Sequence, residues 1–183
     1  MDFIKVGSAC PKTKVADVIF NVENICSCIN DAYNKDVKFL VFPELSITSY
    51  TCADLFLTST LINKSIEGIK LVCENSINKY ILIAVGCPLV HNNVLYNAAF
   101  IIFEGNILGI VPKSYIPNYS EFYEKRWFTS AAMLVDETVD LPFQDNIPLG
   151  TNLLFTAGDY KFGIEICEDL WVTIPPSSYL SLL

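Results

Sequence analysis

The chain has 183 residues, 52% of them hydrophobic, with seven cysteines, one histidine and a formal net charge of -8. So much apolar content excludes a disordered chain and suits one substantial core. The acidic balance opposes attraction to nucleic-acid backbones or anionic membrane surfaces, so neither is expected as a partner.

The amino terminus, "MDFIKVGSAC", begins with an acid and enters an alternating pattern at once. It lacks the basic region and long apolar segment of a secretory leader, which points to a cytoplasmic protein with reduced cysteines. Phe3 to Ala9 is predicted as a first strand. Val15, Val18, Ile19, Val22, Ile25, Cys26, Ile29 and Tyr33 then recur at helical spacing. "VKFLVFP", Val37 to Pro43, reads as a short strand buried on both faces, with Glu44 at its end. A second helical pattern runs from Leu61 to Ile77. The longest apolar run, Tyr80 to Val90, has 11 residues. That is well short of the roughly 20 needed to cross a bilayer and fits a buried strand in a soluble protein.

"YNAAFIIF" and "ILGIVP" flank Glu104-Gly105-Asn106, a hairpin signal, and "NLLFT" and "YKFGIEIC" flank Ala157-Gly158-Asp159, another. Between the two hairpins, Ser114 to Gly150 is expected to be irregular, and its many aromatics mark it as a functional loop. No repeat or linker marks a domain boundary. Strands with helices outside, plus hairpins, predict an α/β layered sandwich over residues 1–183 as a single domain.

Neither the Gly-x-x-x-x-Gly-Lys-Ser/Thr phosphate loop nor Gly-x-Gly-x-x-Gly occurs, so both common nucleotide-binding signatures are missing. The lone histidine, His91, sits in a polar turn and is a poor catalytic candidate. Cys26 and Cys28 have no second pair or histidine nearby, so they read as packing residues and no metal is expected. Three strand ends carry complementary chemistry: Glu44 after "FLVFP", Lys113 after "ILGIVP" and Cys167 after "YKFGIEI". Singly, each fits a solvated boundary. Together they offer a nucleophile, a carboxylate base in place of histidine, and a cation for the anion formed when a thiolate attacks an amide. The backbone N–H after Cys167, at a strand-to-helix turn, is a second candidate donor. Cys167 is nevertheless flanked by Glu165, Glu168 and Asp169, and anions disfavour thiolate. The expected resting state is a thiol that loses its proton only when substrate is in place.

Lys113 lies 69 residues after Glu44, and Cys167 lies 54 after Lys113. These residues in "VFPELSITSY", "PKSYIPNYSEFYEKRWF" and "GIEICEDLW" resemble the Glu-Lys-Cys triad of the nitrilase, or carbon-nitrogen hydrolase, superfamily. The longer phrases are similar to the amino-terminal glutaminase domain of glutamine-dependent NAD synthetases. The resemblance implies a nitrilase-like α-β-β-α sandwich, incomplete at the carboxyl end. It implies Glu44 as general base, Cys167 as the nucleophile that takes the γ-glutamyl group, and Lys113 as stabiliser of the tetrahedral intermediate. It also implies Tyr50, Tyr119 and Phe122 as walls of a glutamine pocket and Glu168 as partner of the substrate's amino group.

For the three aromatics, simple packing remains the competing reading. Glu165 shares a side with Cys167, and bonding in the sheet or in the site both stay open. Asp169 is placed at the start of the following helix, and the prolines of "WVTIPPSS" suit a helix start. The resemblance further implies glutamine as substrate, a homo-oligomer, and a synthetase domain of the same parent chain using ATP and Mg2+, with no cofactor for the glutaminase step. A stand-alone nitrilase-like amidase and a non-catalytic scaffold are the alternative readings.

Overall fold

The computed structural model describes residues 3–135 and 137–183; Asp136, inside the stretch expected to be irregular, lies outside them. The elements run β1 (Val6–Ser8), α1 (Val18–Asn34), β2 (Phe39–Val41), α2 (Ser59–Ser76), β3 (Leu82–His91), β4 (Val94–Phe103) and β5 (Asn106–Pro112). They continue through β6 (Glu137–Leu141), β7 (Gln144–Leu149), β8 (Phe155–Ala157) and β9 (Tyr160–Phe162) to α3 (Pro176–Leu180). Asp17 caps α1 by accepting from Phe20 N–H, and Thr58 caps α2 by accepting from Leu61 N–H.

Seven strands form one sheet in the order β1-β2-β3-β4-β5-β7-β6, parallel from β1 to β3 and antiparallel from β3 to β5. Strand β3 accounts for its apolar run. Ile83, Val85, Cys87 and Leu89 belong to the core shared with Val22, Ile25 and Ile29 of α1 and Ile69 and Val72 of α2. Leu82 and Ala84 point the other way, where with Ile101 and Val111 they meet Phe155 and Phe162 of the β8–β9 hairpin. Alternation puts both sets inside, so no polar face survives. Helices, sheet and hairpin thus supply three successive layers. Among the described residues no helix is long and apolar enough to cross a membrane.

Three expectations about the strands need correction. The first strand is only Val6–Ser8. The supposedly irregular stretch holds the β6–β7 hairpin, whose Val139, Leu141, Ile147 and Leu149 are buried at period 2 while the residues between them are mostly polar. The strand expected to reach Cys167 ends at Phe162; Ile166 is extended, but residues 163–166 join no sheet. The proline-initiated helix expected after Cys167 is present as α3.

Gly86 fixes where the end of β2 can lie. A Cβ there would stand 2.3 Å from Leu45 N and 2.8 Å from both Glu44 C and Pro43 O. The turn after β2 therefore rests directly on β3, held by the Ile47 N–H bond to Gly86 O at 3.1 Å. Gly86→Ala is expected to destabilise the fold by about 1–3 kcal/mol through overpacking against backbone. Chemical denaturation measures the loss, and an unchanged midpoint would mean that the turn is not seated on this glycine.

Candidate active site

Glu44 follows β2 and precedes Leu45, whose φ of 52° is left-handed; this turn aims the carboxylate over the ends of β4 and β5. Lys113 comes directly after β5 and its backbone N–H donates to Asn97 O on β4 at 2.8 Å. The Lys113 side chain is fully buried. Its Nζ donates to Glu44 Oε1 at 2.6 Å and to Glu124 Oε2 and Oε1 at 3.0 and 3.1 Å. Burial disfavours the ammonium, but the two carboxylates outweigh it and raise the Lys113 pKa above its ordinary value. Glu124 is itself buried and accepts a third hydrogen bond, from Tyr50 Oη at 2.6 Å. Burial first, and Glu124 next, push the Tyr50 phenol far above its usual range, so it remains a donor.

Cys167 opens a 3-10 turn, Cys167–Leu170, with a φ of 50°. This strained conformation turns the partly covered thiol of a solvent-exposed residue out of the chain path. Burial of the sulfur, then the charge of Glu44, raise the thiol pKa; Lys113 lowers it, while Glu124 and the thiol's hydrogen bond to Glu44 raise it further. Two carboxylates against one ammonium leave the surroundings negative, so the resting group is the thiol.

Glu44, Gly86 and Asn97 line a cavity of about 300 Å3 with residues 163–167, Cys167 among them. This volume is at the small end of the range for small-molecule sites, ~300–1,000 Å3. Glu44, Lys113 and Cys167 are therefore brought together. Tyr50, Tyr119, Phe122 and Glu168 are not on this lining. Tyr50 stands behind Lys113 through Glu124. Tyr119 and Glu168 border a second groove of about 620 Å3, where Tyr119 Oη donates to Glu168 Oε2 at 2.7 Å. Phe122 meets the Tyr119 ring edge-on at 5.9 Å. Glu165 lines the first cavity and its Oε1 accepts from Ser177 N–H at 2.7 Å, capping the first turn of α3.

Three polar residues that the sequence reading did not assign to the site belong to this constellation. Glu124 was one acid in an aromatic stretch. Asn97 was the polar member of "YNAAFIIF". Asp169, read as a helix start, is buried; its Oδ1 accepts from Ser114 and Tyr115 N–H at 3.1 and 2.8 Å and its Oδ2 from Ile166 N–H at 3.1 Å. It thus clamps the Cys167 turn to the chain just after Lys113. A polar residue inside an apolar run was the available signal for Asn97; Glu124 and Asp169 carry none apart from their partners.

The loop bearing Glu124 is latched at the surface. Asp54 accepts from Arg126 Nε and Nη2 at 2.6 and 2.7 Å and from Trp127 Nε1 at 2.9 Å. These bonds, Arg126 first, hold its carboxyl well below the usual range. His91 bonds Glu137 at 2.9 Å and Asn92, and neither Glu44 nor Cys167 is among its partners. All seven cysteines are free; Cys52 and Cys87 are buried in the core as packing residues.

Comparison with known proteins places this geometry in a family. The carbon-nitrogen hydrolase family profile matches residues 5–173. A glutamine-dependent NAD(+) synthetase of Mycobacterium tuberculosis is 32% identical over 183 residues, covering 98% of this chain and 27% of the relative. The human glutamine-dependent NAD(+) synthetase is 33% identical over 164 residues, covering 85% of this chain and 23% of that protein. The solved glutamine-dependent NAD(+) synthetase of Cytophaga hutchinsonii superposes with a TM-score of 0.81 at 31% identity, over 90% of this chain and 28% of that one. The chain thus spans about a quarter of the length of these relatives.

Burial outweighs the three N–H bonds to Asp169 and raises its pKa to about 6. A carboxyl raised above its unfolded value of ~3.9 favours folding while protonated and loses that contribution as it ionises. Wild type is therefore expected to lose stability relative to Asp169→Asn as pH rises from about 4 to 6. Thermal unfolding of both across this window measures the difference, and parallel curves would refute the raised ionisation.

Proposed function

The chain belongs to the carbon-nitrogen hydrolase family, and we propose that its site hydrolyses the side-chain amide of glutamine to glutamate and ammonia through a cysteine thioester. One observation carries the reading: Glu44 and Cys167, distant in sequence, line one small cavity, and the buried Lys113 bonds Glu44 behind it, in a cluster that keeps the thiol neutral at rest.

In this reading the Cys167 proton passes to Glu44 as sulfur attacks the amide carbon. The C–S bond forms and the carbonyl electrons move onto oxygen. The Lys113 charge stabilises that oxyanion. Lys113 Nζ already serves three carboxylate oxygens, so it adds a direct hydrogen bond only by releasing one of them. Glu44 returns the proton to nitrogen, the C–N bond breaks and ammonia leaves. Water, deprotonated by Glu44, then attacks the thioester; the C–S bond breaks, glutamate leaves, and Glu44 returns its proton to sulfur to restore the thiol.

Glu168 is assigned to the substrate's α-ammonium, after the Tyr119 hydroxyl yields one carboxylate oxygen. Tyr119 and Phe122 form the wall beside it, and Tyr50 acts from behind through Glu124. The relatives' name and the matched share of their length support placing residues 1–183 as the glutaminase part of a glutamine-dependent NAD(+) synthetase. A synthetase domain of the same parent, using ATP and Mg2+, would consume the ammonia to amidate nicotinic acid adenine dinucleotide. The hydrolytic step itself takes no cofactor in this reading, and further copies of the chain complete the assembly.

Two measurements test it. The wild-type chain incubated with glutamine is expected to release glutamate, and Cys167→Ala to release none; persistence in the variant would remove Cys167 as nucleophile. A glutamine analogue with an electrophilic group in place of the side-chain amide should label Cys167 and spare the other six cysteines, and mass-spectrometric detection of label elsewhere would overturn the assignment.

A further inference from the structure

Asn97 is only 1% exposed, on β4, among the apolar neighbours Ala98, Ala99 and Phe100. Its Nδ2 donates to Glu44 Oε1, the same oxygen that accepts from Lys113 Nζ. The two donors are cross-strand neighbours, since Lys113 N–H bonds the Asn97 carbonyl. The other end of the amide is anomalous: Asn97 Oδ1 is buried and has no partner among the described residues. Reversing the amide would set Oδ1 against a carboxylate oxygen, so the bond to Glu44 dictates the orientation and the orphaned carbonyl follows from it. A buried carbonyl without a donor is a liability for stability, which an apolar side chain of similar size would remove. Asn97 also lines the cavity that holds Glu44 and Cys167.

We propose that Asn97 is a positioning residue which, with Lys113, occupies Glu44 Oε1 and so commits the base to act on Cys167 through Oε2. Two donors on one oxygen fix the rotation of the carboxylate and draw its charge away from the thiol. Cys167 feels the charges of Glu44, Glu124 and Lys113, shares its cavity with Glu165, and lies near the phenols of Tyr50 and Tyr119; Asn97 is the neutral member that divides the work between the two oxygens of Glu44. The inference rests on the reading of Glu44 as base and Cys167 as nucleophile.

The test uses Asn97→Leu, which removes donor and orphan together, and the isosteric Asn97→Asp, which replaces the donor by an anion. Glutamate release from glutamine is measured together with thermal unfolding and the pH profile of Cys167 alkylation by iodoacetamide. Asn97→Leu is expected to keep or raise the unfolding midpoint while kcat falls about tenfold or more, the scale of one hydrogen bond to a charged group, with KM unchanged. The alkylation midpoint should move to higher pH, further in Asn97→Asp than in Asn97→Leu, because more negative charge then faces the thiolate. Wild-type kcat and alkylation profile in both variants would overturn the proposal. So would activity lost only in step with the unfolding midpoint, with the alkylation midpoint unmoved. If the wild-type chain fails to hydrolyse glutamine, the functional reading fails, and the alkylation profiles still decide the role of Asn97.

Discussion

One buried ammonium organises this molecule. Lys113 has no solvent to hydrate its charge, and it is tolerated because carboxylates from two other parts of the chain converge on it: Glu44 from the end of β2 and Glu124 from the aromatic loop. Removing either would leave an ion in the interior short of a counter-charge, a situation far costlier than the pair is stabilising. The end of the parallel strands, the antiparallel hairpin and the loop must therefore reach a common point. The cluster also settles the chemistry of the nearby thiol, since a cation already claimed by two anions has little charge left to hold a thiolate.

The remaining architecture delivers those groups. Strand β3 is buried on both faces and carries, at Gly86, the one position without a side chain on which the backbone of Glu44 lies. Pairing of β4 with β5 sets Asn97 beside Lys113. Asp169 joins the two ends of the problem, gathering backbone donors from the segment after Lys113 and from the approach to Cys167. The position of the Cys167 thiol relative to the Lys113 cation thus depends on main-chain groups gathered by one side chain.

Much of this was legible in the amino acids, and the pattern of success has a physical basis. Apolar periodicity located α1, α2 and the central strands because each buries a continuous face. Glu44 and Lys113 stood out because a charge at or shortly after the end of a buried strand is a local signal, whereas Cys167 stood out only through the strand-like composition before it. The β6–β7 hairpin carried its alternation in Val139, Leu141, Ile147 and Leu149, but many polar residues and two prolines masked it. The segment before Cys167 has a strand's composition without a strand's partner, and pairing is not a property of one segment. Glu124 and Asp169 were hidden for a similar reason: each is ordinary in its own stretch and becomes significant through atoms 11 or 54–55 residues away.

The Asp54 latch connects this interior to its environment in an unexpected way. Glu124 sits two residues before Arg126, so the segment carrying the buried counter-ion of Lys113 is held partly by the packing of Trp127 and Phe128 and partly by a bidentate pair that is more than half exposed. Dissolved ions weaken exposed pairs of this kind while hardly touching buried ones. One of the two anchors of a largely buried cluster is thereby sensitive to the ionic strength outside it, while the other, aromatic packing, is not.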